Sequence, residues 1–449
     1  MDIKGKKISI IGAVRSGIAA AKLAKKLGAI PFVSDAGPKE KLDNSIRIFE
    51  SIGINYEFGG HTERVFDCDF IITSPGVPSN SPILKQAGEK NVKVISELEF
   101  ASAFCKGTII SITGTNGKTT TTELISYIIN ECGKKCYVAG NIGTAFSEIT
   151  LDVKNDEFVA LETSSFQLDF IDKFKPQFSM ILNITPDHLD RYNNNFDEYI
   201  VSKIEVSRNQ NEDDFFIYNA DDPYIKSNLK NKRVQKLSFS LVTEVPAGAF
   251  YKNEKLFFAW FGEKTEICSS RDLFIKGEHN IANALAAISV VKTLQFPNRK
   301  IRTALSSFKG VEHRIELVRV INGIEYFNDS KATNVDSVSV ALKSFDKPIY
   351  LILGGKDKGN NYDQIKDLIV KRVKKIYAIG SSAKKVYDYF NSIVTTEIKN
   401  SMEDCVVSAH KEAESGSVVL LSPACASFDM YDSYEHRGKV FKEIVNKLN

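Results

Sequence analysis

The sequence predicts an α/β protein of three domains, each built on a largely parallel sheet. Three observations predict it. Short apolar runs alternate with amphipathic stretches along most of the chain, as in sheets whose strands are covered by helices. A glycine-rich bend separates an apolar run from a helical pattern at residues 108–122, TIISITGTNGKTTTT. At 449 residues the chain exceeds one ordinary core, and about three domains of roughly 100–200 residues are expected. Their expected limits are 1–98, 99–310 and 311–449.

Composition narrows the class. Hydrophobic residues make up 43% and charged residues 26%, values of a soluble globular chain. A formal net charge of +3 is too small to argue for a nucleic acid or a membrane surface. The N-terminus, MDIKGKKISIIGAVRSG, is basic, but its apolar run covers only residues 8–11. No stretch approaches the roughly 20 apolar residues of a bilayer span, so a cytoplasmic protein is expected. The seven cysteines, at 68, 105, 132, 136, 268, 405 and 425, form no even framework. Cys132 and Cys136 are near neighbours without a second pair or nearby histidines, so they read as packing residues with reduced thiols.

The first segment supplies the runs KISIIG, PFVSD, YEFGG, DFIITSPG and KVISE, five expected parallel strands. After the first comes Gly12-Ala13-Val14-Arg15-Ser16-Gly17, and Asp35 ends the second. This is a dinucleotide fingerprint with Val14 where a glycine would let the backbone approach a pyrophosphate. A nicotinamide cofactor is disfavoured; another nucleotide at the same crevice is allowed. Asp35 can accept from a ribose or a uracil, and Ser74-Pro75-Gly76 ends a further strand on the same edge. Each alone reads equally as an ordinary turn.

The second segment opens with the glycine bend. Ile109, Ile110 and Ile112 predict a buried strand, the chain turns at Gly114, and Leu124, Ile125, Ile128 and Ile129 recur at helical spacing. Such a bend aims backbone N–H groups at one point, where the helix dipole also favours negative charge. Lys118 adds a positive charge and Thr119 a hydroxyl for magnesium. Ile112 stands where the first glycine of G-x-x-x-x-G-K-[ST] belongs, so this is a shortened phosphate loop. The competing reading is a glycine turn with a solvated lysine.

Later strands end in polar residues: KCYVAGNIG at Asn141, EFVALETSSFQL at Glu162, and FSMILNITPDHLDRY at Asp187 and His188. Carboxyl ends of parallel strands lie together, so these tips are expected beside the loop. Glu162 suits magnesium; an imidazole is a softer ligand, and His188 alone reads as a cap or packing residue. Its place after a buried strand, beside Asp187, favours the site. In the next helix Lys203 lies among Tyr199, Ile200 and Ile204, and the helix by itself predicts a solvated lysine. AGAFYKNEKLFFAWFG predicts antiparallel strands, and GEHNIANALAA starts a helix with Asn280 and Asn283 one turn apart.

In the third segment Asn322-Gly323 joins two alternating strands as a hairpin. NDSKATN then caps a helix, and PIYLILGGKDKG, KKIYAIGSS and SVVLLSPACASFDMY predict another parallel sheet.

Taken in order, GTNGKTT, GNIG, LETSSFQL, NITPDHLDRY, GEHNIANALAA, HRIE, NDSKATN, LGGKDKG and SPACASFDMY with RG soon after resemble the Mur ligases over essentially the whole chain. LETSSFQL, NDSKATN and SPACASFDMY are similar to the D-glutamate-adding branch. The D-N-P-R motif of the meso-diaminopimelate-adding branch is absent.

The resemblance implies a Rossmann-like N-terminal domain for the UDP of the substrate. It implies a central P-loop ATPase-like domain with added antiparallel strands, and a Rossmann-like C-terminal domain for the amino acid. The implied reaction joins D-glutamate to UDP-N-acetylmuramoyl-L-alanine through an acyl phosphate and a tetrahedral intermediate, releasing ADP and phosphate.

By the same resemblance Gly114, Thr115, Asn116, Gly117, Lys118, Thr119 and Thr120 surround the ATP phosphates. Thr119, Glu162, His188 and a carbamylated Lys203 hold two magnesium ions, with Lys118, His188 and Lys203 catalytic. Asn280 and Asn283 fall at the adenine, and Arg314 and Asp329 at phosphate and ribose. Arg15, Ser16, Asp35, Gly76 and Asn141 face the UDP substrate. Lys331, Thr333, Lys358, Ser427, Phe428 and Tyr434 surround D-glutamate, although Phe428 reads equally as core.

Ala36 and Gly37 depart from the family's wording, which puts the uracil contacts outside the carry-over, and Ser433 stands where the family commonly has an amide. A monomer whose third domain closes on the second is expected. A nicotinamide oxidoreductase and a nonenzymatic ATP switch each explain one segment only, and folylpolyglutamate synthetase is the nearest rival within the class.

Overall fold

The computed structural model describes residues 1–449 apart from 142, 230–232 and 358. The chain divides into two compact units, residues 1–274 with 281–308, and residues 275–280 with 309–449. Among the described residues the strands form three sheets, two in the first unit and one in the second.

The first sheet contains β1 (Lys7–Ile11), β2 (Ile30–Asp35), β3 (Asn55–Phe58), β4 (Phe70–Thr73) and β5 (Val94–Ser96), all parallel, in the order β3-β2-β1-β4-β5. After β3 the chain returns to the other side of β1, which places a switch point between β1 and β4. Ligands of open parallel sheets bind outside the carboxyl ends of the strands at such a point. Helix Arg15–Lys26 buries Ala19, Ala20, Ala21, Leu23 and Ala24 against this sheet. It starts close to β1, since a Cβ on Gly17 would stand 1.8 Å from the carbonyl oxygen of Gly12.

The second sheet contains β6 (Thr108–Thr113), β7 (Cys136–Gly140), β8 (Phe158–Glu162), β9 (Phe178–Ile181), β10 (Phe215–Asn219), β11 (Gln235–Ser240), β12 (Ala247–Lys252), β13 (Lys255–Trp260) and β14 (Glu263–Ser269). Their order is β14-β13-β12-β11-β10-β9-β6-β8-β7. Strands from β7 to β12 run parallel to β6, while β12, β13 and β14 form the antiparallel meander expected from AGAFYKNEKLFFAWFG. β6 lies between β8 and β9, with Ile112 opposite both Glu162 and Met180. The carboxyl ends of the three strands are therefore level. Helix Lys118–Glu131 buries Leu124, Ile125, Ile128 and Ile129, the positions its periodicity predicts.

The third sheet contains β15 (Glu316–Ile321), β16 (Ile324–Asn328), β17 (Ile349–Gly354), β18 (Val373–Ile379), β19 (Thr396–Ile398) and β20 (Val418–Leu421), in the order β15-β16-β20-β17-β18-β19. Only the β15–β16 pair is antiparallel. Its turn is the predicted one, with φ of 51° at Asn322 and 78° at Gly323. Two consecutive positive φ angles match the strands' own twist. Among the described residues no helix is long and apolar enough to cross a membrane. All seven cysteines are free thiols.

Candidate active site

The glycine bend leaves β6 at Gly114, with φ of 148°, and enters helix Lys118–Glu131 through Gly117, with φ of 83°. Neither angle suits a residue with a Cβ. The neighbouring strand tip pins the bend: Thr115 N donates to the carbonyl of Asn183, Asn116 N to Asn183 Oδ1, and Asn183 Nδ2 back to Asn116 O. Lys118 Nζ folds onto the carbonyls of Gly114 and Thr115, at 2.9 and 2.8 Å. Thr120 is buried in the helix's first turn. Asn283 lies behind the loop and accepts from Thr121 Oγ1, and a Cβ on Gly117 would meet its Oδ1 at 2.5 Å.

The tips of β7 and β8 converge as the strand order requires. Thr119 Oγ1 donates to Glu162 Oε2 at 2.7 Å, and Asn141 Nδ2 to Glu162 Oε1 at 3.3 Å. Glu162 is buried, so both carboxylate oxygens face hydrogen-bond donors rather than solvent.

Lys203 corrects the reading from helix pattern alone. It is 2% exposed, donates to the carbonyl of Gly114 at 2.9 Å, and lies 4.6 Å over the ring of Tyr199. Helix Phe196–Ile204 buries Tyr199, Ile200, Ser202 and Ile204 as well, so this lysine is part of the buried face. Burial, followed by the nearby Lys118 charge, holds its ammonium well below the usual lysine range; Asp187, Asp169 and Glu162 pull the other way. An amine in that position is readily uncharged and nucleophilic.

His188 stands after β9 with φ of 52° and begins the short helical turn Leu189–Arg191. Its Nε2 lies 3.7 Å from Asp187 Oδ2, and its ring meets Phe166 edge-on at 5.2 Å. Arg191 stacks 4.1 Å over the same Phe166 ring and donates to the carbonyls of Pro75 and Gly76.

On the first sheet, Asp35 receives Ala13 N and Gly37 N, both at 2.7 Å. The carboxylate expected to await a ligand thus ties two loops together, although an acceptor with four lone pairs retains capacity. Arg15 donates to the carbonyl of Asn141 at 2.8 Å, joining two residues that the sequence assigned to one substrate. Ser16 is partly exposed one residue into the same helix, and Gly76 is exposed after β4.

In the second unit the NDSKATN segment follows β16 and SPACASFD follows β20. Asp329 is buried and accepts from Ser422 Oγ at 2.8 Å and Ile315 N at 3.2 Å. Burial pushes its carboxyl up to about 7, against the pull of Ser422 and Arg314. Arg314 carries a buried Nε without a partner among the described residues. Lys331 Nζ lies 5.3 Å over the Tyr434 ring, and Thr333 N donates to Lys331 O. Ser427 is buried, while Phe428 is 69% exposed and so is no core residue. Asn280 donates to the carbonyl of Lys276. Lys358 lies outside the described residues.

Family models match three stretches: a MurD N-terminal domain at residues 7–83, a Mur ligase middle domain at 112–291, and a Mur ligase glutamate ligase domain at 313–425. The chain is 44% identical to a UDP-N-acetylmuramoylalanine–D-glutamate ligase of Koribacter versatilis, covering 100% of this chain and 99% of the relative. It is also 44% identical to the Christiangramia forsetii protein of that description, covering 99% of this chain and 100% of the relative. The chain belongs to the Mur ligase family.

The same fold appears in UDP-N-acetylmuramate-alanine ligase of Thermotoga maritima, at TM-score 0.61 and 19% identity, covering 98% of this chain and 99% of that one. Two residues of this Mur ligase carry more of the local architecture than their motifs announced. Arg437, the arginine of the late RG pair, is buried and donates to Ser330 Oγ and to the carbonyls of Ser330, Cys425 and Ala426. It thereby binds the NDSKATN and SPACASFD segments to each other. Arg191 does comparable work in the first unit. An arginine inside a polar motif was the available signal for both, but their acceptors are backbone carbonyls distant in sequence, which spacing does not reveal.

Proposed function

We propose that this Mur ligase joins D-glutamate to the terminal carboxylate of UDP-N-acetylmuramoyl-L-alanine with cleavage of ATP to ADP and phosphate, in the cytoplasmic stage of peptidoglycan synthesis. The end-to-end similarity to curated D-glutamate ligases, 44% over the whole chain, carries this reading. In it residues 1–98 hold the UDP substrate, 99–310 bind ATP, and 311–449 bring D-glutamate, the enzyme acting as a monomer.

The carboxylate oxygen of the UDP substrate attacks the γ-phosphorus and ADP leaves, giving an acyl phosphate. The amine of D-glutamate adds to its carbonyl carbon and loses a proton, and the tetrahedral intermediate expels phosphate to leave the amide. The loop from Gly114 to Thr120 surrounds the ATP phosphates where it enters helix Lys118–Glu131, and Lys118 exchanges loop carbonyls for phosphate oxygens. In this reading Arg314 and Asp329 are assigned to phosphate and ribose, and Asn280 and Asn283 to adenine.

Thr119 and Glu162 present hard oxygen ligands 2.7 Å apart, a set that fits magnesium. His188 and Lys203, as a carbamate, complete the holders of two ions. Bound there, magnesium neutralises charge between two anions that must meet. The carbamate forms when the uncharged amine of Lys203 adds to carbon dioxide and releases a proton. Arg15, Ser16, Asp35, Gly76 and Asn141 hold the UDP substrate; Lys331, Thr333, Lys358, Ser427, Phe428 and Tyr434 hold D-glutamate.

The test is phosphate release from ATP. Release is expected only when UDP-N-acetylmuramoyl-L-alanine and D-glutamate are both present, with L-glutamate and other amino acids inactive. Release with a folate acceptor, or with a different amino acid, would overturn the assignment.

A further inference from the structure

We infer that Arg191 is a positioning residue for the UDP substrate, acting by aiming the backbone N–H of Gly76 into the crevice between β1 and β4. The inference rests on the reading that the first sheet holds that substrate, and it names how a side chain from the segment after β9 prepares the site.

The turn after β4 lies at the switch point of the first sheet. Ser74 N donates to the carbonyl of Ile11, and a Cβ on Gly12 would stand 2.7 Å from Ser74 Oγ, so the turn packs against the end of β1. Val77 N closes the turn on the carbonyl of Ser74. Gly76 N makes no hydrogen bond among the described residues, and a Cβ on Gly76 would meet nothing within 4 Å. Gly76 thus offers an unpaired donor on an exposed residue at the end of the sheet where nucleotides bind.

Arg191 determines which way that donor faces. Its NH1 donates to the carbonyl of Pro75 at 2.9 Å and its NH2 to the carbonyl of Gly76 at 3.2 Å. The carbonyl of Pro75 and the N–H of Gly76 belong to one planar trans peptide and point in opposite directions. Holding the oxygen on the guanidinium turns the N–H away from it. The second carbonyl prevents the next peptide from rotating. The guanidinium is itself fixed by the Phe166 ring 4.1 Å away, and the same ring packs on His188. A single short turn, Leu189–Arg191, thus carries the orientation of the β4 turn to the strand tip that bears His188. A fork of two rigid donors does this, and a lysine, with a single ammonium on a flexible stem, does not.

Arg191→Lys and Arg191→Met are compared with the wild type in steady-state assays of all three substrates. The KM for UDP-N-acetylmuramoyl-L-alanine is expected to rise about tenfold or more in both variants, the scale of one lost charge-assisted hydrogen bond. The KM values for ATP and D-glutamate are expected to stay within about twofold, since the loop of Gly114 is pinned by Asn183 and not by Arg191. Melting temperature is measured alongside. An unchanged KM for the UDP substrate in both variants would overturn the inference, as would a common rise in all three KM values with a lowered melting temperature. A wild type inactive with these substrates would instead overturn the functional reading itself.

Discussion

The side-chain nitrogen of Lys203 reaches the carbonyl oxygen of Gly114 at 2.9 Å, so a buried amine sits against the first residue of the glycine loop. The helix carrying Lys203 begins 82 positions after that glycine, at Phe196. Chain folding, and not sequence proximity, makes the pair.

Replacing Lys203 with alanine is expected to lower ligase activity by about 10²–10³-fold, the cost of one group that stabilises developing charge. Acetate or formate, entering the space left by the side chain, is expected to restore part of it. An alanine variant as active as the wild type would return Lys203 to a packing role.

Glu162→Gln keeps the shape that receives Thr119 Oγ1 at 2.7 Å and removes the charge. The variant is expected to fold with an unchanged melting temperature and to need a much higher magnesium concentration, with activity at low magnesium reduced about 10²-fold. A magnesium titration of the two proteins decides it, and coincident curves would contradict the metal assignment.

Gly117→Ala places a Cβ 2.5 Å from Asn283 Oδ1, at a residue whose φ is 83°. The left-handed backbone alone costs an L-residue about 1–2 kcal/mol. A lower melting temperature and loss of ATP binding are expected together by calorimetry. Retention of both would mean that the bend tolerates a side chain.

Asp329 gives a pH dependence of stability. Its folded carboxyl titrates near 7 rather than at the ordinary 3.8, so between those values the native chain holds a proton that the unfolded chain has released. The contribution is complete below about pH 4 and lost as pH rises through about 7. The melting temperature of the wild type is expected to fall across that window more steeply than that of Asp329→Asn. Parallel profiles would assign the slope to other groups.

Local features were legible before any coordinates. The helix after the loop declares itself by Leu124, Ile125, Ile128 and Ile129, and the hairpin at Asn322-Gly323 by residues that accept positive φ. Such features depend on neighbours within a few positions. Lys203 was misjudged from its helix because periodicity tells which positions face inward but not that an inward lysine will find a carbonyl to bind. Asp35 was placed correctly at the end of β2, yet its contacts with Ala13 N and Gly37 N depend on how two loops fold back. The exposure of Phe428 was equally hidden, since an aromatic beside a polar motif has the same composition inside or outside a core.

The sequence by itself determined the three-sheet α/β plan, which strand tips bear the chemistry and the family, because periodicity, turn residues and motif order are written locally and in sequence. Tertiary structure alone decided which atoms meet: Lys203 with Gly114, Arg191 with Pro75 and Gly76, Arg437 with Ser330 and Cys425. Each of these contacts ends on a backbone carbonyl, and every residue has one. Only the packing of strands and helices selects among acceptors that are chemically alike.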